Sequence, residues 1–276
     1  MSALRSKHPS YDRDLLQEIV NLSTRLLGAR SGALGLLNER RDAFECFIAA
    51  GSGREESSAV GPLPRGWGLM DALIDDPRPI RLVAPRERGA DGKRAPARSF
   101  LGVPLLSGKK HWGNFYFADK EGEPEFRPTD ERLAECLARI AADYLQGALP
   151  RGEASRYIGL LEGALEEAGA VCITDPSREI IFWNRGARRL FGFTERETLG
   201  RPFVHLLVPP EERQKRRRGF DPSVQRTLLN GMTAQADCIR LHKDGRRLPI
   251  RMTVSPILHR VAGIVAITCV GRYERL

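Results

Sequence analysis

Residues 99–117 read Ser99-Phe100-Leu101-Gly102-Val103-Pro104-Leu105-Leu106-Ser107-Gly108-Lys109-Lys110-His111-Trp112-Gly113-Asn114-Phe115-Tyr116-Phe117. Two runs rich in aromatic and aliphatic residues, 99–106 and 111–117, flank a polar turn containing glycine. That pattern predicts two strands of a largely buried hairpin. Upstream, 33–37 and 43–48 read as a further strand pair around the polar turn 38–42. Before them, Leu15, Leu16, Ile19, Leu22, Leu26 and Leu27 recur at three- and four-residue spacings and predict an amphipathic helix over 11–27, stopped by Gly28. The stretch 61–68 is rich in glycine and proline and leads into a short helix over 69–74, closed by Asp75-Asp76-Pro77. From 83 to 98 the chain is polar and basic, as expected of a surface loop.

Downstream of the hairpin, Thr129 is read as the cap of a helix with Asp130 and Glu131 in its first turn. Its stripe is Leu133, Leu137, Ile140, Ala141, Tyr144 and Leu145, up to a break at Pro150-Arg151-Gly152. A second helix over 154–168 repeats the stripe with Tyr157, Leu160, Leu161, Ala164 and Leu165. The pattern then changes to strands at 170–174 and 179–183, a helix over 185–191 capped by Asn184, and a capping box at Thr194-Glu195-Arg196-Glu197 that opens a helix ended by Gly200. Three more strands are predicted at 235–242, 247–258 and 263–270, the first two joined by a hairpin turn at Asp244-Gly245.

The 276 residues, 41% hydrophobic and 29% charged, can form about two domains with buried cores. No window approaches the roughly 18 apolar residues of a membrane span, and the N-terminus lacks the features of a secretory signal. The expectation is a cytoplasmic protein without membrane contact. The cysteines Cys46, Cys136, Cys172, Cys238 and Cys269 have neither metal-ligand nor disulfide-framework spacing and read as buried thiols. Residues 1–150 hold 22 Lys and Arg against 21 Asp and Glu, and the remainder 22 against 14. The basic excess therefore belongs to the second half, which points to two units with different surfaces.

Three stretches of the first half resemble a GAF domain, over 10–147. They are 63–69 with 77–82, then Ser99-Phe100-Leu101-Gly102-Val103-Pro104, then Trp112-Gly113-Asn114-Phe115-Tyr116-Phe117-Ala118-Asp119-Lys120. The likeness is to the GAF domains of mycobacterial dormancy oxygen- and redox-sensing histidine kinases. The second half resembles a PAS domain, over 155–272, through Ile180-Ile181-Phe182-Trp183-Asn184-Arg185-Gly186-Ala187, Glu197-Thr198-Leu199-Gly200-Arg201-Pro202 and His242-Lys243-Asp244-Gly245-Arg246-Arg247-Leu248-Pro249-Ile250. The resemblance implies an α+β fold. Two sensory domains are expected, each an antiparallel sheet flanked by helices with a ligand pocket between sheet and helices, joined by a helical linker over 148–168.

The resemblance also implies a cofactor, which the residues can be asked to hold. Where the heme-binding GAF relatives carry a ligand histidine, this chain has Arg94. At the corresponding position of heme PAS domains it has about Arg216. A guanidinium has no lone pair for iron, so heme is disfavoured. Gly200-Arg201-Pro202-Phe203 lacks the cysteine motif of light-sensing flavin domains. Ligand-pocket candidates are Trp183, Asn184, Phe191, Phe203, His205 and Leu206 in the second half, and His111, Phe115 and Phe117 in the first. Each has a plainer reading: lone histidines are mostly satisfied core or surface residues, and Trp183 fills a core as readily as it stacks on a ligand. The run Arg213, Lys215, Arg216, Arg217 and Arg218 is a candidate anion or partner patch. No DNA-reading motif accompanies it, so a solvated surface is its plainer reading and nucleic acid is not the expected partner.

No nucleophile elbow, phosphate loop or zinc-protease pair is present, and no phospho-accepting helix or ATP-binding domain follows the last strand before Leu276. The expectation is a non-catalytic sensory protein of bacterial signal transduction, within a two-component system, answering to a small molecule, a redox state or a gas. The alternatives are the sensor portion of a histidine kinase working with a kinase partner in trans, and a heme-binding gas sensor with unusual ligation. A homodimer held by the three leucine-rich stripes, with a histidine kinase or regulator as signalling partner, is expected. Two departures from the PAS pattern stand out: Arg178 where the first hairpin usually carries glycine, and 268–273 where an Asp-x-Thr usually closes the domain.

Overall fold

The computed structural model describes residues 11–51, 63–64, 69–83, 98–165, 169–213, 226, 230, 232–259 and 263–273. Helix α1 (Arg13–Leu26) starts at Asp12, whose carboxylate accepts hydrogen bonds from the Asp14 and Leu15 amides at 3.0 and 3.2 Å. Gly28, at φ 54°, ends it in the left-handed region and turns the chain straight into β1 (Ala29–Leu37). There follow β2 (Ala43–Gly51), the two-residue β3 (Leu63–Pro64), α2 (Leu69–Asp75), β4 (Ile80–Val83), β5 (Ser99–Ser107) and β6 (Lys110–Lys120). These strands make one antiparallel sheet in the order β3-β2-β1-β6-β5-β4. The hairpin of 99–117 joins β5 to β6 by Gly108 and Lys109, with Ser107 paired to Lys110. Strand β4 was not in the sequence reading. It is a four-residue edge strand whose last three residues are exposed, so it has neither length nor alternation to announce it.

Helices α3 (Pro128–Leu145) and α4 (Arg151–Leu165) join α1 on one side of this sheet. The cap of α3 differs from expectation. Pro128 takes the first helical position and Arg127 the cap, while Asp130 reaches back to accept the Arg127 amide at 2.7 Å. Thr129 therefore lies within the first turn. Asp130 also pairs with Lys120 at 2.9 Å, and Lys120 donates to the Leu27 carbonyl at 2.7 Å. One cation thus fastens the end of β6 to the end of α1 and the start of α3. Helix α4 begins at Arg151, so the predicted break is confined to 146–150.

Leu15, Leu16, Leu133, Leu137, Leu145, Tyr157 and Leu161 are all buried in one hydrophobic cluster within a single chain. These residues of the stripes expected to form a subunit seam are packed inside the fold.

The second sheet is formed by β7 (Ala170–Thr174), β8 (Ile180–Trp183), β9 (Ala234–Leu241), β10 (Arg247–His259) and β11 (Gly263–Tyr273), in the order β8-β7-β11-β10-β9. Between β8 and β9 lie α5 (Arg185–Phe191), α6 (Glu195–Thr198), α7 (Phe203–Leu207) and α8 (Pro210–Arg213). The last two were not predicted, being a single turn or little more. In the β7–β8 turn Arg178 sits at φ 68°, the left-handed conformation that the glycine expected there from the PAS resemblance would take without strain. The mixed α+β architecture of two helix-flanked antiparallel sheets is as expected.

Candidate ligand-binding faces

Strand alternation gives the first sheet two unlike faces. On one, Leu34, Ile48, Leu101, Val103, Phe115 and Phe117 pack with the leucines of α1 and α3. A Cβ at Gly32 would lie 2.1 Å from the Thr24 hydroxyl of α1, which shows how tightly that helix is laid down. On the other face, Leu37, Phe44 and Tyr116 form a separate cluster with Leu73 of α2, and Phe47, Phe100, Ile74 and Ile80 pack half-buried around it. Tyr116 is its hub. Its ring centroid lies 6.2 Å from Phe44, edge-on, 6.5 Å from Phe47, stacked, and 6.1 Å from Phe100. Glycines stand beneath the rings: a Cβ at Gly35 would approach Phe44 to 2.8 Å, and one at Gly102 would approach Leu73 to 2.4 Å.

A buried polar chain edges this aromatic face. His111 Nε2 lies 2.8 Å from Asn114 Oδ1, and Asn114 Nδ2 donates to the Tyr116 hydroxyl at 2.9 Å. All three residues are buried. Burial holds the His111 imidazole below the usual histidine range, against its hydrogen bonds to Asn114 and to the Gly113 backbone. A neutral imidazole, an amide and a phenol bordering aromatic rings suit an uncharged planar ligand better than an ion.

The second domain has its own interior. Trp183, Phe191, Phe203, Leu206, Leu207, Ile250 and Met252 belong to one buried cluster. Trp183 packs at 5.6 Å from Phe191 and donates its Nε1–H to the Phe193 carbonyl at 3.0 Å, so its polar edge is met by backbone. Asn184 works structurally. Its Oδ1 accepts the Ala187 and Val171 amides at 2.8 and 2.9 Å, and its Nδ2 donates to the Gly169 carbonyl at 2.9 Å. It thereby caps α5 and pins that helix to β7. Arg240 on β9, 1% exposed, turns inward with its guanidinium 5.8 Å from the Phe203 ring.

The structure thus gathers Trp183, Phe191, Phe203 and Leu206, whereas His205 is exposed on α7. Phe115 and Phe117 lie on the helix-covered face, opposite the aromatic cluster that His111 borders. Sequence reasoning missed Phe44, Phe47, Phe100, Asn114 and Tyr116. The period of two was the available signal, because residues 114 and 116 must face away from 115 and 117. Of the basic run only Arg213 is described. It donates to the Val208 and His205 carbonyls at 2.8 and 3.0 Å, while Arg94, Lys215, Arg216, Arg217 and Arg218 lie outside the described residues. Among the described residues no group of three His, Cys, Asp or Glu is placed to hold a metal, and no helix is long and apolar enough to cross a membrane.

Cys136, on α3, is 5% exposed. Burial, with the nearby Glu135 and Asp175 carboxylates adding to it, pushes its thiol up to about 12. Only the thiolate alkylates, so at pH 8 the folded protein should leave Cys136 unmodified by iodoacetamide. Its labelling should keep rising with pH beyond 9 instead of levelling off there, as peptide mass spectrometry would show.

Comparison with known families agrees with both halves. A GAF domain model matches residues 13–145 and a PAS fold model matches residues 159–272. The chain is a GAF domain followed by a PAS domain, two classes of sensory module. Among similar solved structures, the GAF-B domain of DevS from Mycobacterium smegmatis is 18% identical, covering 49% of this chain and 93% of that one at a TM-score of 0.40. A PAS domain from Colwellia psychrerythraea is 25% identical over 38% of this chain and 86% of its own, at a TM-score of 0.34. The PAS domain of the RpfR quorum-sensing receptor from Cronobacter turicensis, solved in complex with BDSF, is 20% identical over 39% and 94%, at 0.31.

Proposed function

We propose that this chain is a non-catalytic sensory protein of bacterial signal transduction, working in the cytoplasm, whose GAF domain takes a small planar ligand on the Phe44–Phe47–Phe100–Tyr116 face. The observation that carries this reading is the aromatic cluster with its buried His111–Asn114–Tyr116 chain, separate from the helix-packed core. The PAS interior around Trp183 and Phe203 is the second candidate site. A histidine kinase or regulator is the proposed receiver of the signal. Self-association, since Leu15, Leu16, Leu133, Leu137, Leu145 and Leu161 are buried within one chain, is proposed to use other surfaces.

Heme does not fit the residues this face provides. His111, its histidine, is buried and already holds Asn114 and Gly113, and an iron ligand would have to break that pairing. Two measurements on the purified chain test the proposal together. Added hemin should leave no Soret band that survives desalting in proportion to protein. Labelled ATP should transfer no phosphate to the chain above a heat-killed control. A stoichiometric Soret band or measurable phosphorylation would sink the non-catalytic, heme-free reading.

A further inference from the structure

The two domains meet along α3. Its inward side packs on β5, whose opposite face carries Phe100 and Gly102, while Ile173 and Ile181 of the PAS sheet join the same buried cluster as the α3 leucines. At one edge of this contact Arg132 of α3 reaches the β7–β8 turn. Its Nη1 donates to Asp175 Oδ2 at 2.8 Å and to Glu179 Oε2 at 2.5 Å. Asp175 also organises that turn, accepting the Glu179 amide on Oδ1 at 3.0 Å and the Arg178 amide on its carbonyl at 2.9 Å. The turn is tied onward to the PAS interior, because the Arg178 carbonyl accepts the Phe203 amide at 3.0 Å and Phe203 opens α7 within the buried cluster. A continuous set of packed and hydrogen-bonded groups therefore runs from the GAF aromatic face, through β5, α3 and Arg132, to the wall of the PAS interior.

We infer that α3 is the joint through which the GAF domain acts on the PAS domain, with Arg132 as a latch on the β7–β8 turn. The joint does not depend on which ligand either domain takes. It places the domain-to-domain route in a helix shared by two sheets, where the linker helix α4 is the obvious alternative. A latch of this kind acts first on the opening equilibrium of the turn it holds, and less on the buried strand β6 across the GAF sheet.

Hydrogen–deuterium exchange on the intact chain tests it. Arg132→Glu should speed exchange across 170–183 by about tenfold or more, while 111–117 stays within about twofold of the parent. Adding Glu179→Arg should bring 170–183 back to within about threefold, a rescue that a merely bulky Arg132 would not give. Iodoacetamide labelling of Cys136, one helical turn along α3, should follow the same order. For coupling itself, Phe100→Ala should shift exchange at 170–183 by about threefold in the parent and not in an Arg132→Gln background. Should Arg132→Glu lose its native far-UV spectrum, Arg132→Gln takes its place in the first comparison. Unchanged exchange at 170–183 on loss of the arginine would overturn the latch. So would a charge-swapped pair no slower than Arg132→Glu alone, or a Phe100→Ala effect that persists without Arg132.

Discussion

Leu137→Glu is expected to unfold the protein, not to split a dimer. Leu137 is 2% exposed and sits in the middle of α3 among Leu133, Ile140 and Ala141, against the first sheet. Removing a buried leucine side chain alone costs about 2–5 kcal/mol, and a carboxylate in its place adds desolvation that nothing nearby offsets. The total is comparable with the roughly 5–15 kcal/mol that hold a domain together. Far-UV circular dichroism should show the loss of native structure, and light scattering should show aggregates or an expanded chain. A folded monomer would instead mean that the leucines of α3 form an exposed seam between subunits.

The two faces of the GAF sheet should respond unequally to the same substitution. Phe117→Ala empties a site 1% exposed that packs edge-on against Phe115 at 5.5 Å, and should cost about 3–5 kcal/mol. Phe47→Ala, on the aromatic face, removes a ring that is only half-buried and should cost about 1–2 kcal/mol. Urea unfolding at fixed pH measures both. Equal costs would mean that the aromatic face is ordinary core.

Much of this was legible in the sequence because it rests on local rules. The spacing of Leu15 to Leu27 was enough to announce a helix, and Asn184 followed by Arg185-Gly186-Ala187 gave a cap that the structure shows accepting the Ala187 amide. The hairpin at 99–117 carried its own turn. What stayed hidden depended on partners distant in sequence. Whether Leu137 faced a second subunit or its own sheet could not follow from its helical spacing, since both surfaces want the same residues. The pairing of Lys120 with Asp130 and the reach of Arg132 to Asp175 need the tertiary fold. The aromatic face was half-visible. Period-two alternation separates Tyr116 from Phe115 and Phe117, yet only the position of the helices says which set is sealed.

A native mass spectrum of the 276-residue chain, recorded with its absorption spectrum after incubation in bacterial metabolite extract, bears hardest on the GAF aromatic face as a ligand site. The expected result is a peak carrying one added small molecule, retained in a Phe203→Leu variant and lost in Phe47→Ala with Phe100→Ala. Bare polypeptide mass in every sample, or an added mass that survives the Phe47 and Phe100 changes and disappears with Phe203, would contradict it.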